Sequence, residues 1–266
     1  MAETKRARLL TEERRRAVLE MINRQGRVVV ADLSRHFRVS PVTARSDINE
    51  LSRRNLLVRS HGGAIRKTGI VPEAAPDVRD RQSLDQKVRI GEAAAALVRE
   101  GQTVLLDSGS TTLEVARAIR SRQFTRVTVV TNSLEIASEL SAASGINLIM
   151  IGGLFRRISR SFVGPQAQKL LADLRVDHFF LGVDGLDPES GPSTTDILEA
   201  ELNVSMMRSA KEVTVVADAT KIGRSSFSII SPLAGIHRVI TDSRIDPKDL
   251  ETLRGEGIEI KVVTGD

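Results

Sequence analysis

Apolar positions in the first quarter of the chain recur at helical spacing and predict three short helices. The first begins at Thr11, a hydroxyl residue suited to helix capping, and ends at Gly26. The second covers residues 31–37. The third covers about residues 40–54, because a capping serine followed by proline is a strong helix start. Two short extended runs within residues 56–66, separated by adjacent glycines, then predict a β-hairpin.

The third predicted helix has two distinct faces. Ala44, Ile48 and Leu51 fall on one side, which we expect to pack against a small apolar core. Asp47 lies nearer that side, and its charge would repel phosphate, so we assign it a structural role. The opposite and flanking positions are small, polar or basic, and they are Val42, Thr43, Arg45, Ser46, Asn49, Glu50 and Arg53.

A short helix, a tight turn and a helix with such an outward face are typical of a helix-turn-helix, whose second helix enters the DNA major groove. Arg45 could donate two hydrogen bonds to guanine, and Asn49 could pair with adenine. The hairpin would be a wing whose arginines contact phosphates. The predicted DNA-contacting residues are Ser40, Val42, Thr43, Arg45, Ser46, Asn49, Arg53, Arg59, His61 and Arg66.

Charge is distributed unevenly along the 266 residues. Residues 1–66 hold 15 Lys and Arg against 7 Asp and Glu, a balance of +8, while residues 67–266 hold 24 against 27, a balance of −3. This asymmetry favours a nucleic-acid-binding head on a separate domain, with a merely soluble basic helix as the alternative. Double-stranded DNA is the expected partner. The chain has seven Phe and no Trp or Tyr, which disfavours single-strand or RNA recognition by base stacking.

The remainder of the chain predicts an α/β domain. Residues 67–80 contain two prolines and little periodicity, which indicates a linker between domains at 1–66 and 81–266. In the second domain, apolar strand-like runs such as TVLLD, VTVVT and HFFLGVD alternate with helical runs. Such alternation predicts a parallel sheet covered on both faces, with ligands bound beyond the carboxyl ends of the strands.

Small polar residues follow several of these strands, and the loop DSGSTT is the strongest candidate anion site. Backbone N–H groups from Gly109 to Thr112 would point at a phosphate at a helix N-terminus. Asp107 either fixes this loop or accepts a sugar hydroxyl. Lys221 is either a counter-charge or an exposed lysine, and Glu199 either faces the site or is solvated.

Composition and motifs exclude several other classes. The absence of cysteine excludes disulfides and thiolate metal sites, and the four histidines do not show metal spacing. We expect no metal and no cofactor. No P-loop or G-x-G-x-x-G motif is present. The N-terminus lacks an apolar signal region and no run approaches a membrane span, so we expect a cytoplasmic protein with no membrane partner.

The stretch SPVTARSDI at residues 40–48, preceded by Arg14, Val18 and Ile22, resembles the signature of DeoR-family bacterial transcriptional regulators. The following NLLVRSHGGA resembles that family's wing. Farther along, DSGSTT, VTNS, IGG, SFVG, FLGVDGLD and VADATKIGRSSF resemble the DeoR-type sensor domain in order and spacing. The segments RISRSFVGPQAQ and GVDGLD are most similar to the AgaR-like amino-sugar group of the family.

This resemblance implies a winged helix-turn-helix followed by a Rossmann-like domain similar in fold to ribose-5-phosphate-isomerase-type sugar-phosphate isomerases. It also implies a phosphorylated sugar as effector. Pro192 and Ala219-Thr220 depart from the family pattern near the expected site, so the particular effector is not inherited. The predicted effector-binding residues are Asp107, Ser108, Gly109, Ser110, Thr111, Thr112, Thr131, Asn132, Gly152, Gly153, Asp184, Glu199 and Lys221.

Together these features predict a DNA-binding regulator, usually a repressor, of a carbohydrate catabolic operon, controlled by a phosphorylated sugar. A homodimer or homotetramer is expected, because one recognition helix contacts only one half-site. Such a protein would associate with the bacterial nucleoid when bound to DNA. The alternative is a sugar-phosphate isomerase with an appended DNA-binding module, since Asp184, Asp187, Glu199 and Lys221 are suitable for proton transfer.

Overall fold

The computed structural model describes residues 11–25, 27–54, 56–60, 62–66 and 82–265. The chain divides into two compact units, residues 1–72 and 73–266, which are described separately. The predicted linker and His61 lie outside the described residues, so the predicted domain boundaries stay predictions.

The three helices predicted for the first unit are present. They are α1 (Thr11–Gln25), α2 (Val30–Phe37) and α3 (Pro41–Arg53). The Oγ of Ser40 accepts a hydrogen bond from the Thr43 N–H at 3.0 Å and so caps α3, as the Ser-Pro pair predicts. The turn between α2 and α3 passes through Arg38 in the left-handed region, with φ of 52°. The capping signals in the sequence therefore predict the positions of these helices correctly.

A three-stranded antiparallel sheet completes the first unit. It consists of β1 (Arg27–Val29), β2 (Leu57–Ser60) and β3 (Gly63–Arg66), with β3 in the centre. The hairpin β2–β3 is the predicted wing, but β1 was not predicted, because three residues are too few to show a period. Gly63 permits the pairing, since a Cβ there would lie 2.0 Å from the carbonyl oxygen of Val28.

The second unit is built on a parallel sheet. Within residues 82–265, seven strands pair in the order β15-β14-β12-β9-β4-β5-β6, and every pairing among them is parallel. The strands are β4 (Thr103–Leu106), β5 (Val127–Thr131), β6 (Ile146–Met150), β9 (Val176–Gly182), β12 (Ala210–Val216), β14 (Arg238–Asp242) and β15 (Glu259–Val263). This is the predicted α/β architecture.

Helices cover both faces of this sheet. They are α4 (Leu84–Ala95), α5 (Ser110–Ser121), α6 (Leu134–Leu140), α7 (Pro165–Ala172), α8 (Ile197–Ser209) and α9 (Pro247–Gly255). Leu106 and Phe180 pack with apolar residues of α4, α5 and α6, whereas the alternate residues Leu105 and Phe179 pack with those of α7, α8 and α9. Helix α4 ends at Ala95, and turns at residues 96–97 and 100–101 lead to β4.

Short strands outside the seven-stranded sheet were not predicted. Strands β7 (Leu154–Arg156) and β8 (Ser161–Val163) form a hairpin. Strands β10 (Gly185–Asp187), β11 (Gly191–Thr194) and β13 (Ser228–Ile229) form a small antiparallel sheet. Each has four residues or fewer, so the chain offers no periodicity by which to find it.

The strand order reverses between β4 and β9. The chain runs from β4 outward to β5 and β6, and then returns to place β9 on the other side of β4. In open α/β sheets, a crevice forms beyond the carboxyl ends of the two strands at such a point. The loops after β4 and β9 begin at Asp107 and Val183, and they form this crevice.

Candidate functional site

The outward face of α3 is the candidate DNA-binding surface. Arg45, Ser46, Asn49 and Arg53 are exposed, and Val42 exposes 72% of its surface. Ser40 is exposed and Thr43 half-buried, and their hydroxyl oxygens lie 2.9 Å apart at the start of the helix. The structure therefore brings together the α3 residues that the sequence predicts as DNA contacts.

Asp47 has the structural role that the sequence predicts. It is 2% exposed, and its carboxylate accepts hydrogen bonds from Arg14 Nε at 2.6 Å and Arg15 Nε at 3.2 Å. These contacts join α3 to α1. A buried carboxylate held by two arginines fixes the orientation of α3, because moving the helix would leave these charges unpaired.

Ion pairs also involve Arg53, a predicted DNA contact. Glu50 accepts hydrogen bonds from Arg53 Nη2 and Arg54 Nε, both at 2.8 Å, and these two arginines lower its pKa to about 2. A phosphate would therefore compete with Glu50 for Arg53. In the wing, Arg59 is exposed on β2. Arg66 ends β3, and its side chain, like His61, lies outside the described part of the chain.

A polar cavity lies in the crevice between β4 and β9. The cavity measures about 50 Å³. The lining residues are Lys87, Asp107, Ser108, Gly109, Ser110, Thr111, Asn132, Gly182, Val183, Asp184, Thr194, Glu199, Asn203 and Lys221.

Asp107 fixes the loop at the base of the cavity. Its Oδ1 accepts hydrogen bonds from the Gly109 N–H at 3.1 Å and Thr112 Oγ1 at 2.8 Å, and its Oδ2 accepts one from the Gly182 N–H at 2.8 Å. Burial raises the pKa of Asp107 to about 7, with the Glu199 charge acting in the same direction and the three donors opposing it. Of its two expected roles, these contacts support loop fixation.

Beyond this loop, the first N–H groups of α5 have no intrahelical acceptor and lie at the positive end of the helix dipole. Ser110 and Thr111, the first two residues of α5, line the cavity. Gly109 is the N-cap residue and makes no side-chain capping bond. The end of the helix that meets the cavity therefore suits an anionic group, as the loop sequence predicts.

Asp184 and Glu199 also line the cavity. Thr194 Oγ1 lies 3.1 Å from Asp184 Oδ2 and also 3.1 Å from Glu199 Oε2, although its single proton can serve only one of them. Asp184 also accepts bonds from the Thr195 N–H and hydroxyl. Arg156 of the β7–β8 hairpin reaches Glu199 at 3.3 Å. Glu199 therefore faces the cavity rather than solvent.

Asn132 lines the cavity and has a buried acceptor without a partner among the described residues. The residue is 2% exposed, and its Nδ2 donates to the carbonyl oxygen of Phe162 at 3.0 Å. Its Oδ1 is buried without a hydrogen-bond partner among the described residues. A buried acceptor without a donor costs about 1–3 kcal/mol.

Four predicted effector contacts do not line the cavity. Thr112 and Thr131 are buried. The hydroxyl of Thr112 donates to Asp107 Oδ1, and Oγ1 of Thr131 accepts a hydrogen bond from the Ser133 N–H at 3.1 Å. Gly152 and Gly153 are exposed. They follow β6, which is the edge strand and is separated from β4 by β5, so its end lies away from the β4–β9 crevice. These four residues do not line the cavity, and their contact with an effector stays a prediction.

Five lining residues are not among the predicted effector contacts: Lys87, Gly182, Val183, Thr194 and Asn203. Lys87 had a usable signal. It shares the apolar face of α4 with Ile90, Gly91 and Ala94, where a lysine is unexpected, and it is 2% exposed. Thr194 and Asn203 reach the cavity from β11 and α8 and carried no comparable signal. Lys221 lies half-buried in a short 3₁₀ helix at Ala219–Lys221.

The described residues include no group of three or more His, Asp or Glu arranged to hold a metal ion. Among them, no helix combines the length and hydropathy that crossing a membrane requires. Asp187, one of the carboxylates weighed for proton transfer, lies outside the cavity lining; its Oδ1 accepts the N–H groups of Glu189 and Ser190 in the β10–β11 turn.

Two family models match the chain. The DeoR-like helix-turn-helix domain matches residues 14–68, and the DeoR C-terminal sensor domain matches residues 82–243. The second alone covers more than half of the chain.

Curated relatives match almost end to end. The chain is 39% identical to the putative aga operon transcriptional repressor of Escherichia coli O157:H7, over 95% of this chain and 94% of that protein. It is 35% identical to the transcriptional regulator GlpR of Haloferax volcanii, over 95% of this chain and 98% of that protein. It is 28% identical to the glycerol-3-phosphate regulon repressor of Escherichia coli K12, over 94% of this chain and 98% of that protein.

Solved structures resemble the fold more distantly. Ribose-5-phosphate isomerase A from Methanocaldococcus jannaschii is 20% identical, with a TM-score of 0.39 over 53% of this chain and 55% of that one. This score does not bear on activity, and the curated relatives are named as regulators rather than enzymes. The chain belongs to the DeoR family of helix-turn-helix transcriptional regulators.

Proposed function

We propose that the protein represses a carbohydrate catabolic operon and that a phosphorylated sugar, bound in the cavity of the second unit, controls its affinity for the operator. The names of the relatives support this: one is a repressor of the aga operon and another of the glycerol-3-phosphate regulon. The match to a sensor domain supports an effector. Control follows if the effector binds one conformation of the protein better than the other.

The outward face of α3 would contact base edges. Arg45 is exposed in the N-terminal half of the helix, where recognition helices contact bases, and a bidentate contact contributes about 1–3 kcal/mol of base discrimination. Arg53 and Arg59 would contact phosphates, together with Arg66 and His61. Val42 would make apolar contact in the groove, Ser46 and Asn49 would reach bases, and the paired hydroxyls of Ser40 and Thr43 would meet the backbone.

The test of this surface is Arg45→Ala, with DNase footprinting on the operator and on non-specific DNA. We expect discrimination between the two to fall by about 1–3 kcal/mol while non-specific binding persists, because phosphate contacts provide most of the latter. Ser52, a half-buried residue on the same helix, gives a matched control as Ser52→Ala. Unchanged discrimination by Arg45→Ala would remove the residue from the contact surface.

The cavity would take a phosphorylated sugar. The N-terminal end of α5 suits the phosphate, with Ser108, Ser110 and Thr111 adding hydroxyl donors and Lys221 a counter-charge. The single observation that carries this proposal is the polar cavity itself, in which the start of α5 meets Lys221, Asp184 and Glu199. Asp184 and Glu199 would accept sugar hydroxyls or an amine.

The effector can be found by a thermal-shift screen of phosphorylated sugars, amino-sugar phosphates included. A compound at 100 times its Kd stabilises the folded state by about 2.7 kcal/mol. Compounds that raise Tm are then tested for release of operator DNA. If no phosphorylated sugar in the screen raises Tm, the proposal fails.

Asp107→Ala gives an independent test of the cavity. We expect operator binding to persist and the effector response to be lost, because the loop that meets the ligand loses its three hydrogen bonds. Asp173→Asn, at an exposed aspartate after α7, is the control. A fully inducible Asp107→Ala protein would refute this site.

A homodimer or homotetramer is proposed because one α3 contacts one half-site. Light scattering on the purified chain measures its mass directly. A monomer bound to a full operator would contradict the proposed oligomer. We also propose the bacterial cytoplasm, with nucleoid association through DNA, as its location; fluorescence microscopy of a tagged chain tests it.

A further inference from the structure

The seven-stranded sheet of the second unit has two edge strands, β6 and β15. Within residues 82–265, no other strand pairs with the outer side of either one. The outer backbone N–H and C=O groups of an edge strand can pair with another chain. Native proteins usually prevent this with charged side chains, prolines or bulges on the strand, or by covering the strand. The two edges of this sheet differ in this respect.

Strand β15 has the charged side chains that protect an edge. Its sequence is EIKVV, and Glu259 and Lys261 are both exposed. If two copies paired this strand antiparallel about its centre, Lys261 would lie opposite Lys261 of the other copy. Like charges directly opposite each other destabilise a strand pair. Strand β15 is therefore unsuited to pairing with itself.

Strand β6 lacks this protection. Its sequence is INLIM, which contains no charged residue and no proline. Asn147 and Ile149 are exposed, and Ile149 exposes 39% of its surface. Ile146, Leu148 and Met150 are half-buried. An uncharged edge strand with an exposed isoleucine is the kind of edge that pairs with a further strand.

Exposed apolar side chains are concentrated in and after β6. Eight large apolar side chains are exposed in the described part of the second unit, and four of them lie within residues 149–170: Ile149, Leu154, Phe155 and Leu170. Strand β7 and helix α7 meet, since a Cβ at Gly153 would lie 3.4 Å from the Cβ of Ala167. Concentrations of exposed apolar surface mark interaction sites.

The β6 edge is complementary to itself. An antiparallel pairing about a two-fold axis at Leu148 aligns all five residues of the strand. It places Ile146 opposite Met150, Asn147 opposite Ile149, and Leu148 opposite Leu148 of the other copy. No charge meets a like charge in this arrangement, and the two copies use the same surface, as a two-fold interface requires. A second copy is also what a pair of DNA half-sites requires.

We propose that β6 pairs antiparallel with β6 of a second copy of this chain and joins the two seven-stranded sheets into one continuous sheet. Leu154, Phe155 and Leu170 pack at the border of this interface. The inference rests on the oligomer proposed above and assigns the surface that forms it.

Cysteine cross-linking tests the pairing directly, because the chain has no cysteine of its own. Asn147→Cys and Ile149→Cys, both at exposed positions, are co-expressed as full chains and treated with a mild oxidant. Directly opposite residues have Cα atoms about 4.5–5.5 Å apart, within the range of a disulfide. Diagonal residues lie about 7–8 Å apart, so each variant alone should not cross-link.

We therefore expect covalent dimers on a non-reducing gel only when the two variants are mixed. A mixture that cross-links no more than the single variants would overturn the proposal. Lys261→Cys is the control at the centre of the other edge strand and should stay uncross-linked. Covalent dimers of Lys261→Cys would assign the interface to β15 instead and would equally overturn the proposal.

The second experiment measures mass by sedimentation over a concentration series. Ile149→Lys places a charge in the interface of both copies, and the dissociation constant of self-association should rise roughly tenfold or more. The mass should fall by half at concentrations where the wild type is assembled. Ile229→Lys is the matched control, because Ile229 is 37% exposed and lies on β13, outside residues 149–170. Equal effects of the two substitutions, or none from Ile149→Lys, would contradict the proposed interface.

The mass of the wild type separates the two proposals. If the wild type is an oligomer and the mixed cysteine variants do not cross-link, the β6 pairing fails and the oligomer stands. If the wild type binds a full operator as a monomer, the oligomer and its interface both fail.

Discussion

Replacing Asp47 with asparagine should unfold the DNA-binding unit without removing any DNA contact. The carboxylate is 2% exposed and is bonded to Arg14 at 2.6 Å and Arg15 at 3.2 Å. Removing one partner of a buried ion pair costs about 3–5 kcal/mol, because the other charge stays buried. A unit of roughly sixty residues is stabilised by only about 3–9 kcal/mol, so the loss approaches its whole stability.

The chain has no Trp or Tyr, so hydrogen exchange of the amides of α3 is a better measure than fluorescence. We expect the opening free energy of α3 to fall by about 3 kcal/mol or more in Asp47→Asn. Ser46→Ala, at the exposed neighbouring position, should stay within about 0.5 kcal/mol of the wild type and weaken operator binding instead. A change below about 1 kcal/mol in Asp47→Asn would refute the structural role of the ion pair.

Three further predictions concern the second unit. Gly91→Ala should lower the free energy of unfolding by about 1–3 kcal/mol in urea denaturation, because the new Cβ would lie 2.6 Å from the Glu114 carbonyl carbon; no loss would show that the helices separate freely. Arg156→Met should lower it by about 3–5 kcal/mol, because Asp196 and Glu199 lose the buried cation that pairs with both; no loss would show that their other hydrogen bonds suffice. Asp107, with a pKa near 7 rather than 3.8, keeps its proton in the folded state where the unfolded state has lost it. Wild-type stability should therefore fall as pH rises from about 4 to 7, by about 4 kcal/mol, relative to Asp107→Asn; identical pH profiles would contradict this.

Local signals predicted the elements of the first unit well. The Ser40-Pro41 start, the spacing of Ala44, Ile48 and Leu51, and the inward position of Asp47 all follow from capping and helical periodicity, and the structure confirms them. Strand β1 was not predicted, since its pairing depends on contact with β3, more than thirty residues later in the chain.

The candidate site was predicted only in part. The loop from Asp107 to Thr111 stood out because a strand, a glycine and hydroxyl residues precede a helix within a few positions. Gly152 and Gly153 have the same local character but follow the edge strand β6, away from the cavity. Lys87 lines the cavity from α4, and the apolar pattern of that helix does not indicate which strand end the helix approaches.

The sequence by itself determined the helix-turn-helix, the parallel α/β sheet and the loop that leads into α5, because caps and periodicities act over a few residues. Only the tertiary structure decided which strand ends meet. Asp107 and Gly182 are 75 residues apart, yet the N–H of Gly182 donates to Oδ2 of Asp107 at 2.8 Å because the strand order reverses between β4 and β9. That order depends on how helices cover both faces of the sheet, and no local pattern encodes it.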